Sequence, residues 1–298
     1  MELGFIGLGK MGQAMAIRLA SKGHRVVVYD ISPSVVASMV GQGLEGAKDF
    51  KTMLENIDCP RNIWIMIPAG KAVDDVIFNN LLPYLVEGDL LIDGGNSNYK
   101  DSIKRARKLA ARKIEFMDIG TSGGIGGVHN GLSLMIGGST DNFSRIEPIL
   151  KDLAVEKGYH LMGGNGAGHF VKMVHNGIEY ALLQSYAEGF ELLREGPFEL
   201  DLRAIARVWN NGSIVRSWLL GLIHAILEKD ELDVIDAEVG GGQTGSWAVE
   251  AALEAEVPFT MLAAALSERY HSRRDSFATG LIAALRMSFG GHPVKRKR

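Results

Sequence analysis

Short apolar runs alternate with amphipathic stretches along the first half of the chain. Runs rich in Val, Ile, Leu and aromatic residues predict strands over residues 3–8, 25–29, 62–67, 90–93, 114–118 and 134–136. Helical periodicity fills the intervals, as over residues 11–22 and 34–40. Strand–helix alternation of this kind predicts an α/β domain over residues 1–163, with a doubly wound parallel sheet.

The period changes after Gly163-Gly164-Asn165-Gly166. From there to about Arg286 only helical spacing is visible, with helices predicted over residues 169–193, 202–209, 217–228, 247–254 and 259–272. Residues 164–298 are therefore expected to form an all-helical domain for substrate binding and oligomerisation, with the glycine cluster Gly163–Gly168 as the junction. At 298 residues, two domains are also the default for a chain too long for one core.

One helix carries chemistry. In HFVKMVHNGIEYALLQSYAEGFELL, Lys172, His175, Asn176, Glu179 and Tyr180 fall at i, i+3, i+4, i+7 and i+8 and share a face. Phe170, Val171, Met173, Val174, Ile178, Ala181 and Leu182 occupy the other faces. Such a helix is expected to be buried, with its polar face lining a cavity. An amine, an imidazole, an amide, a carboxyl and a phenol converging there make an acid–base site; an internal hydrogen-bonded network or a subunit contact would use the same pattern.

Composition narrows the partners. With 46% apolar and 22% charged residues and a net charge of −3, nothing in the bulk electrostatics calls for nucleic acid or a membrane surface. Cys59 is the only cysteine, which excludes an intrachain disulfide and a cysteine-based metal cluster and fits a reducing, cytoplasmic location. The first residues lack the cationic leader and long apolar run of a signal peptide, and no apolar run reaches membrane-spanning length. The closing Lys295-Arg296-Lys297-Arg298 reads as a solvated terminus.

The first strand runs into Gly7-Leu8-Gly9-Lys10-Met11-Gly12 at the turn into a helix. The first glycine makes the tight turn, the second admits a pyrophosphate to the backbone, and the third lets helix pack on strand, a Rossmann-like dinucleotide site. Asp30 closes the second strand, where a carboxylate accepts from the ribose hydroxyls of NAD and repels the 2′-phosphate of NADP; neither Ile31 nor Ser32 offers a compensating cation. The expected cofactor is NAD. Pro68 and Ala69, in Ile67-Pro68-Ala69-Gly70, and Asn96, in Asp93-Gly94-Gly95-Asn96-Ser97, end further strands and should reach the nicotinamide half. Asn96 is expected between nicotinamide and substrate, although an ordinary Asn/Gly turn reads the same. Thr121-Ser122-Gly123-Gly124-Ile125-Gly126-Gly127 is expected to be a loop whose amides, with the Ser122 hydroxyl, close on an anion or a polyol.

Assembled, these segments resemble the β-hydroxyacid dehydrogenase superfamily and, within it, the 6-phosphogluconate dehydrogenase family. The resemblance rests on GFIGLGKMGQAMA, MIPAG, DGGNS, TSGG followed by SLMIGG, KMVHNGIEYA, GQTGSW and the tail ALRMSFGGH, and spans nearly the whole chain. It implies that Lys172 is a general base and Glu179 a general acid. It places Asn96, Ser122, Gly123, Gly124, His175 and Asn176 around the substrate and the hydride site. Tyr180 and Arg269 match phosphate contacts. Arg286 and His292 match a pair that enters the active site of a neighbouring subunit, which implies a homodimer or homotetramer.

Two departures stand out. Gly242 replaces a phosphate-binding lysine of the common, longer form, and Asp30-Ile31-Ser32 replaces its NADP-reading Asn-Arg-Thr. The implied activity is oxidative decarboxylation of a sugar phosphate, 6-phosphogluconate, to ribulose 5-phosphate without a metal. Lys172 would then have to titrate well below the ordinary lysine value of about 10.4, toward roughly 7–8. The alternatives are a non-decarboxylating dehydrogenase of an unphosphorylated acid such as 3-hydroxyisobutyrate, and a dinucleotide-sensing binding protein without chemistry.

Overall fold

The computed structural model describes residues 1–229 and 239–273. Eight strands form one sheet: β1 (Glu2–Ile6), β2 (Arg25–Tyr29), β3 (Glu45–Gly46), β4 (Asn62–Ile65), β5 (Leu90–Asp93), β6 (Glu115–Ser122), β7 (Leu132–Gly137) and β8 (Ala154–Gly163). Their order is β3-β2-β1-β4-β5-β6-β7-β8, and every neighbouring pair is parallel except β6 with β7. The chain fills one side of β1 first and then crosses to the other with β4. The switch point at the carboxyl ends of β1 and β4 is where an open α/β sheet forms its ligand crevice.

Helices cover both faces of this sheet. One apolar layer joins the strands to α1 (Lys10–Ser21), through Met15 and Leu19. Val28, Phe5, Trp64, Ile92 and Ile119 face that layer from the strands. The first layer also takes α2 (Pro33–Val40), through Met39, and the opposite layer gathers α3 (Phe50–Glu55) and α4 (Lys71–Asp74), which continues through a wider π-helical stretch over Asp75–Leu81. It also holds α5 (Tyr99–Ala110) through Leu109. Next come α6 (Gly124–Asn130) and α7 (Thr140–Leu153), the latter packed on the α1 face through Ile146, Ile149 and Leu150.

Two strands escape the periodicity reading. β3 is only two residues long, and β8 lies at the sheet edge, where AVEKGYHLMG is largely solvent-facing and has no apolar run to mark it. The end of the sheet was therefore legible only as a glycine cluster. Residues 121–127 are not one loop either: Thr121 and Ser122 extend β6, and α6 starts at Gly124. The residues 124–130 contain three glycines, which hide the helical pattern.

α8 (Ala167–Glu195) follows, 29 residues long, and then α9 (Leu202–Asn210), α10 (Trp218–Lys229), α11 (Gln243–Glu254) and α12 (Thr260–His271). From Gly177 on, every element among the described residues is a helix. The chain divides into two compact units, Met1–Asn176 and Gly177 onward, so the boundary falls within α8. Among the described residues no helix is long and apolar enough to cross a membrane.

The first turn of α8 is seated on the sheet by backbone contact. Asp118, the buried carboxylate of β6, accepts from the Gly166 N–H at 2.5 Å and the His169 N–H at 2.8 Å. It thereby satisfies helix-terminal amides that otherwise lack partners. Burial pushes the Asp118 carboxyl above its ordinary range, while the neighbouring His169 and the two amide bonds pull the other way. A Cβ at Gly168 would strike the backbone of Asp118, Met135 and Gly137, none of which can rotate away. Gly168→Ala is therefore expected to lower stability by about 1–3 kcal/mol. Urea unfolding should show the midpoint falling with an unchanged slope.

Candidate active site

At the switch point the glycine turn has the shape a dinucleotide needs. Gly7 has a φ of +94°, and a Cβ there would meet the Met66 carbonyl. One at Gly12 would meet the Gly7 carbonyl, so β1 and α1 pack at a distance no side chain allows. At Gly9 a Cβ would meet nothing within 4 Å: the space beside the amino end of α1 is open. That helix has no side-chain cap and no acidic residue in its first turn, leaving its free N–H groups and positive dipole end available to a pyrophosphate. Lys10 and Met11 form that first turn, after Leu8.

Asp30 is bound into the same turn. Its Oδ2 accepts from the Leu8 N–H at 2.7 Å and its Oδ1 from the Ser32 N–H at 2.9 Å. Each carboxylate oxygen keeps a further lone pair, and the carboxylate cannot swing away from the glycine turn. The residues present thus fit a dinucleotide with free ribose hydroxyls. Pro68 and Ala69 follow the end of β4, and Asn96 follows β5 with its side chain exposed.

Lys172, His175, Asn176 and Ser122 meet in the first unit. Lys172 is 6% exposed and Asn176 9%. Gly120 makes this possible, because a Cβ on it would run into the Lys172 side chain. The Lys172 Nζ lies 3.3 Å from His175 Nδ1, which lies 3.1 Å from Asn176 Oδ1; His175 Nε2 is 3.1 Å from the Ser122 hydroxyl. One ring nitrogen cannot play both roles at once. Facing an ammonium, Nδ1 must accept, and Nε2–H then donates to Ser122. Facing an uncharged amine, Nδ1–H can donate to Asn176. An ammonium at Lys172 thus fixes the imidazole tautomer, whereas an uncharged amine, which both donates and accepts, is compatible with either. Gly123 and Gly124 adopt left-handed φ values of +120° and +59°, turning the chain sharply after Ser122.

The burial of α8 meets the expectation on its polar face and departs from it at several apolar positions. The polar positions Lys172 and Asn176 are covered, whereas Phe170, Ile178, Leu182 and Leu183 are exposed in the single chain. The apolar positions do not enclose this helix; the bare strand β6 lets its polar face sink instead.

Glu179 follows seven residues after Lys172 on the same helix, in the second unit, and is partly buried. Within that unit the Arg269 guanidinium stacks 3.7 Å from the centre of the Tyr180 ring, and the Tyr180 hydroxyl lies 3.2 Å from Thr244 Oγ1. Thr244 sits in the first turn of α11, whose preceding Gly242 has a φ of +113°. The sequence reading passed over Thr244 and began this helix at residue 247; α11 starts four residues earlier, behind the left-handed Gly242. Arg286 and His292 lie outside the described residues.

Comparison with known proteins identifies the family. A family model described as the NAD binding domain of 6-phosphogluconate dehydrogenase matches residues 2–164. A second, the 6-phosphogluconate dehydrogenase C-terminal domain, matches residues 168–280. The chain is 43% identical over 301 residues to an NAD(+)-dependent, decarboxylating 6-phosphogluconate dehydrogenase of Haloferax volcanii, covering 100% of this chain and 99% of that protein. It is 38% identical to the Bacillus subtilis enzyme of the same description, over 91% of this chain but only 61% of that longer protein. Among solved structures, Plasmodium falciparum 6-phosphogluconate dehydrogenase superimposes with a TM-score of 0.86 at 30% identity, covering 100% of this chain and 66% of the other. A 3-hydroxyisobutyrate dehydrogenase of Salmonella typhimurium shares the fold, with a TM-score of 0.76 at 20% identity over 91% of this chain and 93% of that one. With an NAD-binding glycine turn, a buried lysine beside a histidine and an asparagine, and matches over nearly its whole length, the chain belongs to the 6-phosphogluconate dehydrogenase family.

Proposed function

We propose that the protein oxidatively decarboxylates 6-phosphogluconate to ribulose 5-phosphate and carbon dioxide, using NAD in preference to NADP. The observation that carries this reading is the buried Lys172 amine, held against Gly120 and linked through His175 to Ser122. When bound, the nicotinamide supplies the acceptor for the hydride that leaves C3 of the sugar acid. Lys172, as the free amine, takes the C3 hydroxyl proton. As the resulting ammonium it donates to the new C3 ketone oxygen, which draws the electrons of the breaking C1–C2 bond into an enediol while carbon dioxide departs. Glu179 then protonates the enediol carbon while the enediol hydroxyl returns its proton to Lys172, leaving the product ketone. His175, Ser122, Asn96 and Asn176 orient the hydroxyls.

For the phosphate, Arg269, Tyr180 and Thr244 at the amino end of α11 supply a guanidinium, two hydroxyls and the positive end of a helix dipole. The Asp30 carboxylate, fixed by Leu8 and Ser32, supports the choice of NAD. Self-association through the helical unit is supported by exposed apolar positions. On α10, Trp218, 65% exposed, shares a face with Leu222 and Ile226 at i, i+4 and i+8.

Three measurements test these points. Lys172→Met should lower kcat on 6-phosphogluconate by about 10²–10⁴-fold with NADH affinity unchanged; turnover near that of the unaltered protein would exclude the base role. In the unaltered protein, kcat/KM should favour NAD over NADP by at least about tenfold, a difference of ~1.4 kcal/mol, and 6-phosphogluconate over gluconate or 3-hydroxyisobutyrate. Finally, Trp218→Glu should reduce the molar mass found by light scattering. An unchanged mass would place the subunit contact elsewhere.

A further inference from the structure

Arg105, on α5, is the most deeply buried cation among the described residues, 1% exposed, and no role proposed above uses it. Its guanidinium is divided among three acceptors. Nε donates to Asp74 Oδ1 at 2.7 Å, Nη1 to Asp93 Oδ2 at 3.1 Å, and Nη2 to the Gly70 carbonyl at 3.1 Å. Gly70 ends the segment that carries Pro68 and Ala69. Asp93 ends β5, and its two oxygens also hold the next turn: Oδ2 accepts from the Ser97 hydroxyl at 2.7 Å and Oδ1 from the Gly95 N–H at 3.2 Å. Gly95 and Ser97 flank the exposed Asn96. One planar fork thus ties together the two chain segments that follow β4 and β5 on the crevice side of the sheet.

We infer that Arg105 is a positioning residue for this reaction: through Asp93 and the Gly70 carbonyl it sets the separation of the Pro68–Gly70 and Gly95–Ser97 segments, and so the placement of Asn96 against the nicotinamide and substrate. A lysine cannot reproduce this. Its compact ammonium has no planar fork with which to bridge two carboxylates and a carbonyl in fixed directions. The inference rests on the dinucleotide reading of the crevice.

The fold contains its own control. Arg61 precedes β4 and Asp89 precedes β5, and their side chains pair at 2.9 Å with Asp89 fully buried. This second arginine–aspartate pair lies on the same two strands at the opposite end of the sheet, away from the crevice. Removing either arginine leaves a buried carboxylate unpaired, so both losses should cost stability. Only one should cost catalysis.

The test compares Arg105→Met with Arg61→Met in the full-length protein. Arg105→Met should lower kcat about 10- to 100-fold, as expected when reacting groups are displaced by about an ångström, with Arg61→Met within about threefold of the unaltered protein. Hydrogen exchange without cofactor should show lost protection over residues 69–70 and 94–98 in Arg105→Met alone. Equal effects of the two variants on both readouts would overturn the inference. Should Arg105→Met not fold, Arg105→Lys and Ser97→Ala decide by the same readouts: more than about a threefold fall in kcat with raised exchange supports the role, and anything less refutes it. If the unaltered protein binds NADH but does not turn over 6-phosphogluconate, the functional reading fails, and Arg105 is judged on exchange and on NADH affinity relative to Arg61→Met.

Discussion

The close approach of α8 to the sheet is the constraint on which the site depends. Helix and strand normally keep the distance their side chains impose. Here Gly120 and Gly137 on the strands, and Gly168 on the helix, remove those side chains, and Asp118 binds the amides of the helix's first turn. The Lys172 stem occupies the space that Gly120 leaves open. Burial of an amine is costly unless its polar neighbours are arranged for it. The His175–Asn176–Ser122 chain provides such an arrangement, because the imidazole can present either a lone pair or a proton.

A second set of buried charges has a different task. Asp93 and Asp89 are both fully buried, and each is answered by an arginine rather than a lysine. A guanidinium serves several acceptors in one plane and is less strongly hydrated than an ammonium, so it is the better cation to enclose. Buried pairs of this kind add little net stability compared with apolar packing, but they fix direction. At the crevice end, what is fixed is the path of two chain segments that carry no regular structure of their own.

Much of this was legible in the sequence, and the exceptions have physical causes. The glycine turn, Asp30 and the spacing of Lys172, His175 and Asn176 are local patterns, and local patterns survive in a one-dimensional reading. The limits of β2 and β5 follow directly from their apolar runs. By contrast, β8 is an edge strand with one partner and little apolar surface, and the glycines of α6 mask its helix. Arg105 lies in Lys104-Arg105-Ala106-Arg107-Lys108, which reads as a solvated charged face; only the fold shows that one of these four cations points inward. The exposure of apolar positions on α8 was not legible, because the opposing surface, not the helix, decides which side is covered. Gly120 lies 52 positions from Lys172, and no periodicity within α8 contains it.

The same reasoning bears on the cation absent at Gly242. With a φ of +113°, this position strains any side chain, and a Cβ would meet the Tyr270 ring at 3.0 Å. Tyr270 is in turn bonded to the Ser246 hydroxyl in the first turn of α11, at 2.5 Å. A lysine could not simply be restored: it would require the turn to relax and Tyr270 to move, loosening the start of the helix that presents Thr244. Under the proposed function the missing charge is thus replaced by geometry. The left-handed glycine opens α11, whose first turn sets Thr244 beside Tyr180, and the guanidinium of Arg269 stacked on that ring takes over from a mobile ammonium.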